Sequence, residues 1–422
     1  FLFGSKMSLA LMIKAFRRVA AQAALALLCF TNEAGAASLR RVIEGSLCEF
    51  AESEPLLSCD KVAADGSPWK ANLHEAWNQL CQDSQTARYM EVFLDKRFKE
   101  NHQRVYKSGW ADTAWVNYVA VPKNGGVFGK LTERLVESIH RFSKHPIIVV
   151  NFGHEAPEEL SPKRFPRLVL LHARGFDPAL RLSFNFNKFR AILLAQAKVG
   201  ASLDSDMLLV GPQADQLLNR TAEEITENYR FPMMPTHFLD RDIRDKGSGK
   251  GNYLPYSCKN CPVPTMRWGQ AQPTWTHWSF PFVGRWLLAK MKGRSENGVP
   301  TNGIAEDEDL LNVALWSEGA TKSWCAFQTG GINFLWENLY PQHPPGPYPY
   351  YEDPRYFPAG VPVGFYFGHA EKDPSHIDNA LTFLSDSSKI SAPLPKPFFH
   401  NMTFFATFKE LKEAYPNLKC TL

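Results

Sequence analysis

Asp204 and Asp206, separated by a single serine in "GASLDSDMLLVGP" (residues 200–212), are the residues whose spacing most directly suggests chemistry. Like charges that close repel each other, and burying either one unpaired is costly. A basic side chain, solvent or a divalent cation that prefers hard oxygen ligands must compensate them. Glu306, Asp307, Glu308 and Asp309 are a second concentration of negative charge, directly before "LLNVALW". An acidic first turn suits the positive end of a helix dipole, so a solvated helix start is one reading of that run.

The elements around the pair give it a place. From Trp115 the chain alternates in the β and α manner. "AWVNYVAV" is a β-branched and aromatic run, "PKNGG" a turn, "VFGKLTERLVESIHRFS" carries one apolar helix face, and "PIIVVNFG" is a buried strand. Strand, helix, strand implies a parallel pair with a crossover helix. "PRLVLLHA" reads as a third strand, "NKFRAILLAQAKV" as a helix, and "GASLDSDMLLV" as the strand that delivers the Asp pair. Ligands of such sheets bind outside the carboxyl ends of the strands, which is where the pair falls.

Residues 230–300 are less regular and read as a long aromatic insertion, and a Pro/Tyr-rich loop (341–362) precedes a last short strand, "VGFYFGHA". Before Trp115, the stretches "NLHEAWNQLCQ" and "ARYMEVFLDKRFKENH" read as helices of a stem or N-terminal cap over residues 37–110.

The chain has 422 residues, 44% apolar and 21% charged, which are ordinary globular values that argue against a disordered or fibrous chain. A net charge of +4 without a long basic run argues against nucleic acid as the partner. The first 36 residues pair a basic flank ("KAFRR") with a short apolar run ("VAAQAALALLCF") and a small-residue site ("AGA"). This pattern predicts a signal peptide, or a signal anchor if it is not cleaved. Membrane association is expected only in the second case. The expected compartment is the secretory pathway, in the Golgi or ER lumen or outside the cell. In that setting most of Cys48, Cys59, Cys81, Cys258, Cys261, Cys325 and Cys420 should form disulfides, the odd number leaving at least one over. "CKNC" at Cys258–Cys261 has no second CxxC to complete a zinc site, so a disulfide or paired loop is the expectation there. Asn219 and Asn401 lie in glycosylation sequons.

The order of pieces resembles the GT-A glycosyltransferases, and among them the retaining enzymes of the glycogenin and galactinol synthase kind. "WVNYVAVPKNGGVFGKLTERLVESIHRFSKHPIIVV" resembles the family's opening strand, helix and strand around the nucleotide. "FNKFRAILLAQAKVGASLDSDMLLVGPQADQLL" is similar to its Lys-led helix and DXD strand, "EDEDLLNVAL" to its later acidic-Leu-Asn helix, and "FYFGHAEK" loosely to its closing His-Gly-Lys segment. The resemblance implies an α/β, Rossmann-like GT-A domain over residues 111–410, with a mixed, mainly parallel sheet flanked by helices, followed by a tail over 411–422. It also implies transfer of a hexose or pentose from a nucleotide-diphospho-sugar to a glycan or glycoprotein acceptor, with retention of configuration. Asp204, Asp206 and His369 would hold Mn²⁺ or Mg²⁺, with His400 in reserve; Lys188, Asp204 and Lys372 would meet the donor. Asp307, or secondly Asp309, would sit near the reacting sugar carbon. The Gly of "FGHAEK" precedes its His, unlike the family spacing, and Lys372 lies closer to that His than the family's phosphate-binding Lys does. Trp275 and Trp278 could stack on an acceptor sugar or simply pack. Two other functions share these features: a metal-dependent nucleotidyltransferase or hydrolase, and a carbohydrate-binding protein without turnover.

Overall fold

The computed structural model describes residues 55–59, 61, 67–121, 127–153, 157–209, 214–233, 272–304, 307–318 and 367–369, all within the compact unit Glu54–Leu422. The expected N-terminal signal, Cys48, the Cys258–Cys261 pair, Cys325, Cys420, Lys372, His400, Asn401, the Pro/Tyr-rich loop and the C-terminal tail lie outside those residues.

At the centre is a six-stranded sheet ordered β1-β4-β3-β2-β5-β7. β2 (Ala111–Val119), β3 (Ile147–Asn151), β4 (Leu168–Ala173) and β5 (Ala197–Leu203) run parallel to their neighbours. β1 (Val92–Leu94) and β7 (Thr274–Thr276) close the two edges antiparallel. This is the mixed, mainly parallel sheet flanked by helices that was expected. β3 and β4 are buried along their whole lengths, as strands covered on both faces must be.

Period-two alternation divides β2 between two cores. Trp115 and Val119 pack on one side with Leu135, Val136 and Ile139 of α3 (Val127–Phe142). Ala114, Val116 and Tyr118 pack on the other with α1 (Pro68–Cys81), α4 (Asn187–Leu194) and α6 (Phe280–Lys292). α2 (Lys99–Val105), α5 (Ala214–Glu224) and α7 (Asp307–Ser317) complete the main helices. A disulfide joins Cys59 to Cys81 at the end of α1. Asn219 is exposed on α5, whereas Thr221 of its sequon is buried and donates to the Leu217 carbonyl.

Three expectations are corrected. "ARYMEVFLDKRFKENH" is not one helix: it turns from β1, which pairs with β4, into α2 only at Lys99. Its apolar run "VFL" is too short to show a period, and pairing with a buried strand decides its form. The helix "NKFRAILLAQAKV" stops at Leu194, and Ala197–Val199 already belong to β5, with Gln196 reversing the chain at φ 48°. The stretch read as an irregular insertion also holds ordered structure. Thr274–Thr276 joins the central sheet, and "FPFVGRWLLAKMK" forms α6, whose buried residues include Phe280, Val283, Trp286 and Leu287. A helix surrounded by core has no polar face to give it a sequence period.

Candidate active site

β2, β3 and β4 are laid down successively toward one edge, whereas β5 lies on the other side of β2. The strand order therefore reverses between β2 and β5, and the crevice outside their carboxyl ends is where such sheets bind ligands. Asp204 is the first residue past the end of β5, level with the end of β2 through the Asn117–Leu203 pairing.

The serine between the two aspartates is anchored. Asn117, on the α3 face of β2, donates through Nδ2 to the Leu203 carbonyl at 2.8 Å and to Ser205 Oγ at 3.2 Å. Thr132 of α3 bonds the same hydroxyl at 3.0 Å. The Met207 amide donates to the Asp204 carbonyl at 3.1 Å and closes the turn, after which β6 (Met207–Leu209) pairs antiparallel with β8 (Phe367–His369). Ser205 is thereby buried while Asp204 and Asp206 remain half-buried. The backbone of His369 lies opposite Met207, one residue beyond Asp206.

On the other face of β2, α4 brings Lys188 to the carboxylates. Its ammonium is only 1% exposed, 3.2 Å from Asp204 Oδ1 and 2.5 Å from Asp307 Oδ2, and lies 5.4 Å from the centre of the Tyr118 ring. Burial works against its charge, but the two aspartates outweigh burial and hold its pKa above the ordinary lysine value. Asp307, the first residue of α7, is 4% exposed. Burial pushes its pKa up, Lys188 pulls it down, and Asp204 adds to the rise. The Tyr118 hydroxyl is driven well above its usual value, first by burial and then by Asp204, Asp307 and Asp206. Gln272 donates to Asp204 Oδ2 at 2.9 Å and fixes the orientation of that carboxylate.

Half-buried Asp204 and buried Asp307 and Lys188 are therefore brought into one cluster, with Asp206 on the same turn. The side chains of Asp309 and His369 lie outside the described residues. Trp275 does not face a ligand. It is fully buried against Gly200 and donates to the Ala197 carbonyl, so it packs rather than stacks on an acceptor. Trp278 is half-buried, its ring 5.1 Å from the Arg230 guanidinium.

Asn117, Thr132, Tyr118 and Gln272 went unnoticed in the sequence. The available signal for Asn117 was a polar residue inside an otherwise apolar strand, which needs a buried partner. Gln272 offers none, since its contact with Asp204 spans 68 residues of chain.

The donor set suits a hard divalent cation. Three carboxylates against one ammonium leave a formal excess of two negative charges, and carboxylate oxygens are the ligands that such a cation prefers. Among the described residues, no group of three or more His, Cys, Asp or Glu side chains is arranged to hold a metal ion.

No protein-family model and no curated protein sequence matches the chain. Among solved structures, the galactosyltransferase LgtC in complex with donor and acceptor sugar analogues is similar at 12% identity and a TM-score of 0.36, over 67% of this chain and 98% of that one. An active-site mutant of LgtC is similar at 13% identity and the same TM-score, over 67% of this chain and 98% of that one.

Proposed function

We propose that the chain is a metal-dependent GT-A glycosyltransferase of the secretory pathway, transferring a hexose or pentose from a nucleotide-diphospho-sugar to a glycan or glycoprotein hydroxyl. The observation that carries this reading is the junction of Asp204, Asp307 and Lys188 outside the strand ends at the reversal of strand order. Asp204 and Asp206, with His369 as the third ligand, would hold Mn²⁺ or Mg²⁺. Bound there, the cation supplies Lewis-acid neutralisation of the diphosphate, whose charge otherwise hinders its departure.

The protein's own residues supply position. Lys188 holds Asp204 and Asp307 together, and in this reading Asp307 would orient or stabilise the reacting sugar. Ser205, held by Asn117 and Thr132, keeps the two metal-facing carboxylates in one geometry before ligand arrives. Retention of configuration follows from the family resemblance alone.

The test is a panel of nucleotide sugars offered to the purified full chain with and without Mn²⁺. Mn²⁺-dependent nucleotide release with glycosylated product supports transfer. Release of nucleotide without any glycosylated product would show hydrolase chemistry at the same site, and absence of donor binding would refute the proposal.

A further inference from the structure

The opposite end of the sheet carries a second feature. Three adjoining clefts of about 670, 530 and 260 Å³ run across the amino ends of β2, β3, β4 and β5. They adjoin: the first shares Lys107 and Asp112 with the second, and Lys70, Ser108 and Trp110 with the third. Lys61, Lys70, Arg104, Lys107, Arg167 and Lys198 line them, with Asp112 as the one lining carboxylate among the described residues.

That carboxylate is already engaged, 2.6 Å from Lys198. Arg167 is occupied with the carbonyls of Ser143 and His140. Arg104 and Lys107 are exposed and bond to neutral oxygens, those of Asn101 and Gln103. Two histidines, His145 and His102, also line the second and third clefts. Nε2 of His102 and Nε2 of His145 are buried without a hydrogen-bond partner, although their residues line the third and second clefts. The hairpin between the clefts holds Ser108 at φ 53° and Gly109 at φ 83°, so its backbone is committed to an uncommon shape at this point. Trp69, with the Lys198 ammonium 4.5 Å from its ring centre, and the hydroxyls of Ser67 and Ser108 complete the wall of the largest cleft.

We propose that this groove binds a chain of anionic sugar units, carrying carboxylate or sulfate groups, at a site separate from the Asp204 crevice. Cations spaced along a concave path match charges repeated along a polymer, and the hydroxyl and indole groups between them match the polar edges and apolar faces of sugar rings. A membrane surface is instead met by basic residues on a flat face, whereas these cations line concave clefts. The proposal does not depend on the activity assigned to the other end of the sheet.

The test is equilibrium binding of the full chain to size-defined sulfated and uronate-containing oligosaccharides. Neutral oligosaccharides, single-stranded DNA and vesicles containing anionic phospholipid serve as comparison ligands. The anionic oligosaccharide is expected to bind, with affinity falling as salt rises, and the R104A/K107A double variant is expected to bind at least tenfold more weakly with an unchanged melting temperature. A second variant, Trp69→Ala, is expected to weaken the sulfated sugar more than it weakens DNA, which separates sugar recognition from charge alone. Asp206→Ala is expected to leave this binding intact. Binding that is unchanged in both groove variants, equal affinity for DNA, or binding to vesicles but not to the oligosaccharides would overturn the proposal.

Discussion

At the scale of single residues, the question posed by two neighbouring carboxylates has a divided answer. Asp204 is partly compensated inside the protein by Lys188, which it shares with Asp307, while Asp206 follows on the same turn. A buried ion pair of this kind is costly to break from one side, because the remaining charges stay in low dielectric. Lys188→Met should therefore destabilise the fold by about 3–5 kcal/mol, measured by chemical denaturation. Double replacement with Asp307→Asn should recover part of that loss, because it removes one of the stranded charges. Equal losses in single and double variants would show that the two residues are not coupled. The sequence made the carboxylates and the lysine legible by type and order. Their meeting was not legible, since Lys188 and Asp307 are 119 residues apart and no local pattern records a contact that the sheet creates.

At the scale of elements, the position of the pair depends on how closely β5 approaches β7. A Cβ on Gly200 would come within 2.3 Å of the Trp275 ring, so the strand can pass the indole only with glycine there. Gly200→Ala should cost about 1–3 kcal/mol through overpacking and displace the turn that follows the strand. A lower melting temperature with weakened donor binding is the expected pair of results, and an unchanged melting temperature would contradict the close packing. α7 is placed with similar care. Lys290 at the end of α6 donates to the carbonyls of Thr301 and Ile304, and Thr301 returns a bond to the Ala289 carbonyl, fixing the loop that leads to Asp307. β2 to β5 were readable because buried strands and amphipathic α3 carry distinct periods. β1, β7 and α6 were not, for the first two are three residues long and α6 is apolar on several sides.

At the scale of the whole molecule, two half-buried histidines tie stability to pH. His140 donates from Nδ1 to the Val136 carbonyl and accepts the Arg167 amide at Nε2, an arrangement that needs the neutral ring. His277 accepts from Asn72 at Nδ1. Burial, the largest influence on each, lowers both pKa values to about 4 from an ordinary histidine value near 6.5. With the folded pKa below the unfolded one, their contribution is complete above about pH 6.5 and declines as pH falls toward 4. The melting temperature should drop across that interval, and the drop should shrink when His140 and His277 are both replaced by glutamine. A drop of the same size in the double variant would assign the effect to other groups. Composition read the chain as globular, in keeping with the two buried cores around the sheet, and the reversal of strand order then puts Asp204 just past the end of β5.

The most direct measurement of the central claim is calorimetric titration of the full chain with a nucleoside diphosphate, with and without Mn²⁺, comparing the wild type with Asp206→Ala. Asp206 is the appropriate residue because it is half-buried at the turn, whereas Asp204 shares the buried Lys188 with Asp307. The account predicts Mn²⁺-dependent binding in the wild type, loss of the Mn²⁺-dependent component in the variant, and an unchanged melting temperature. Binding of equal strength in both proteins, or binding indifferent to Mn²⁺, would contradict it.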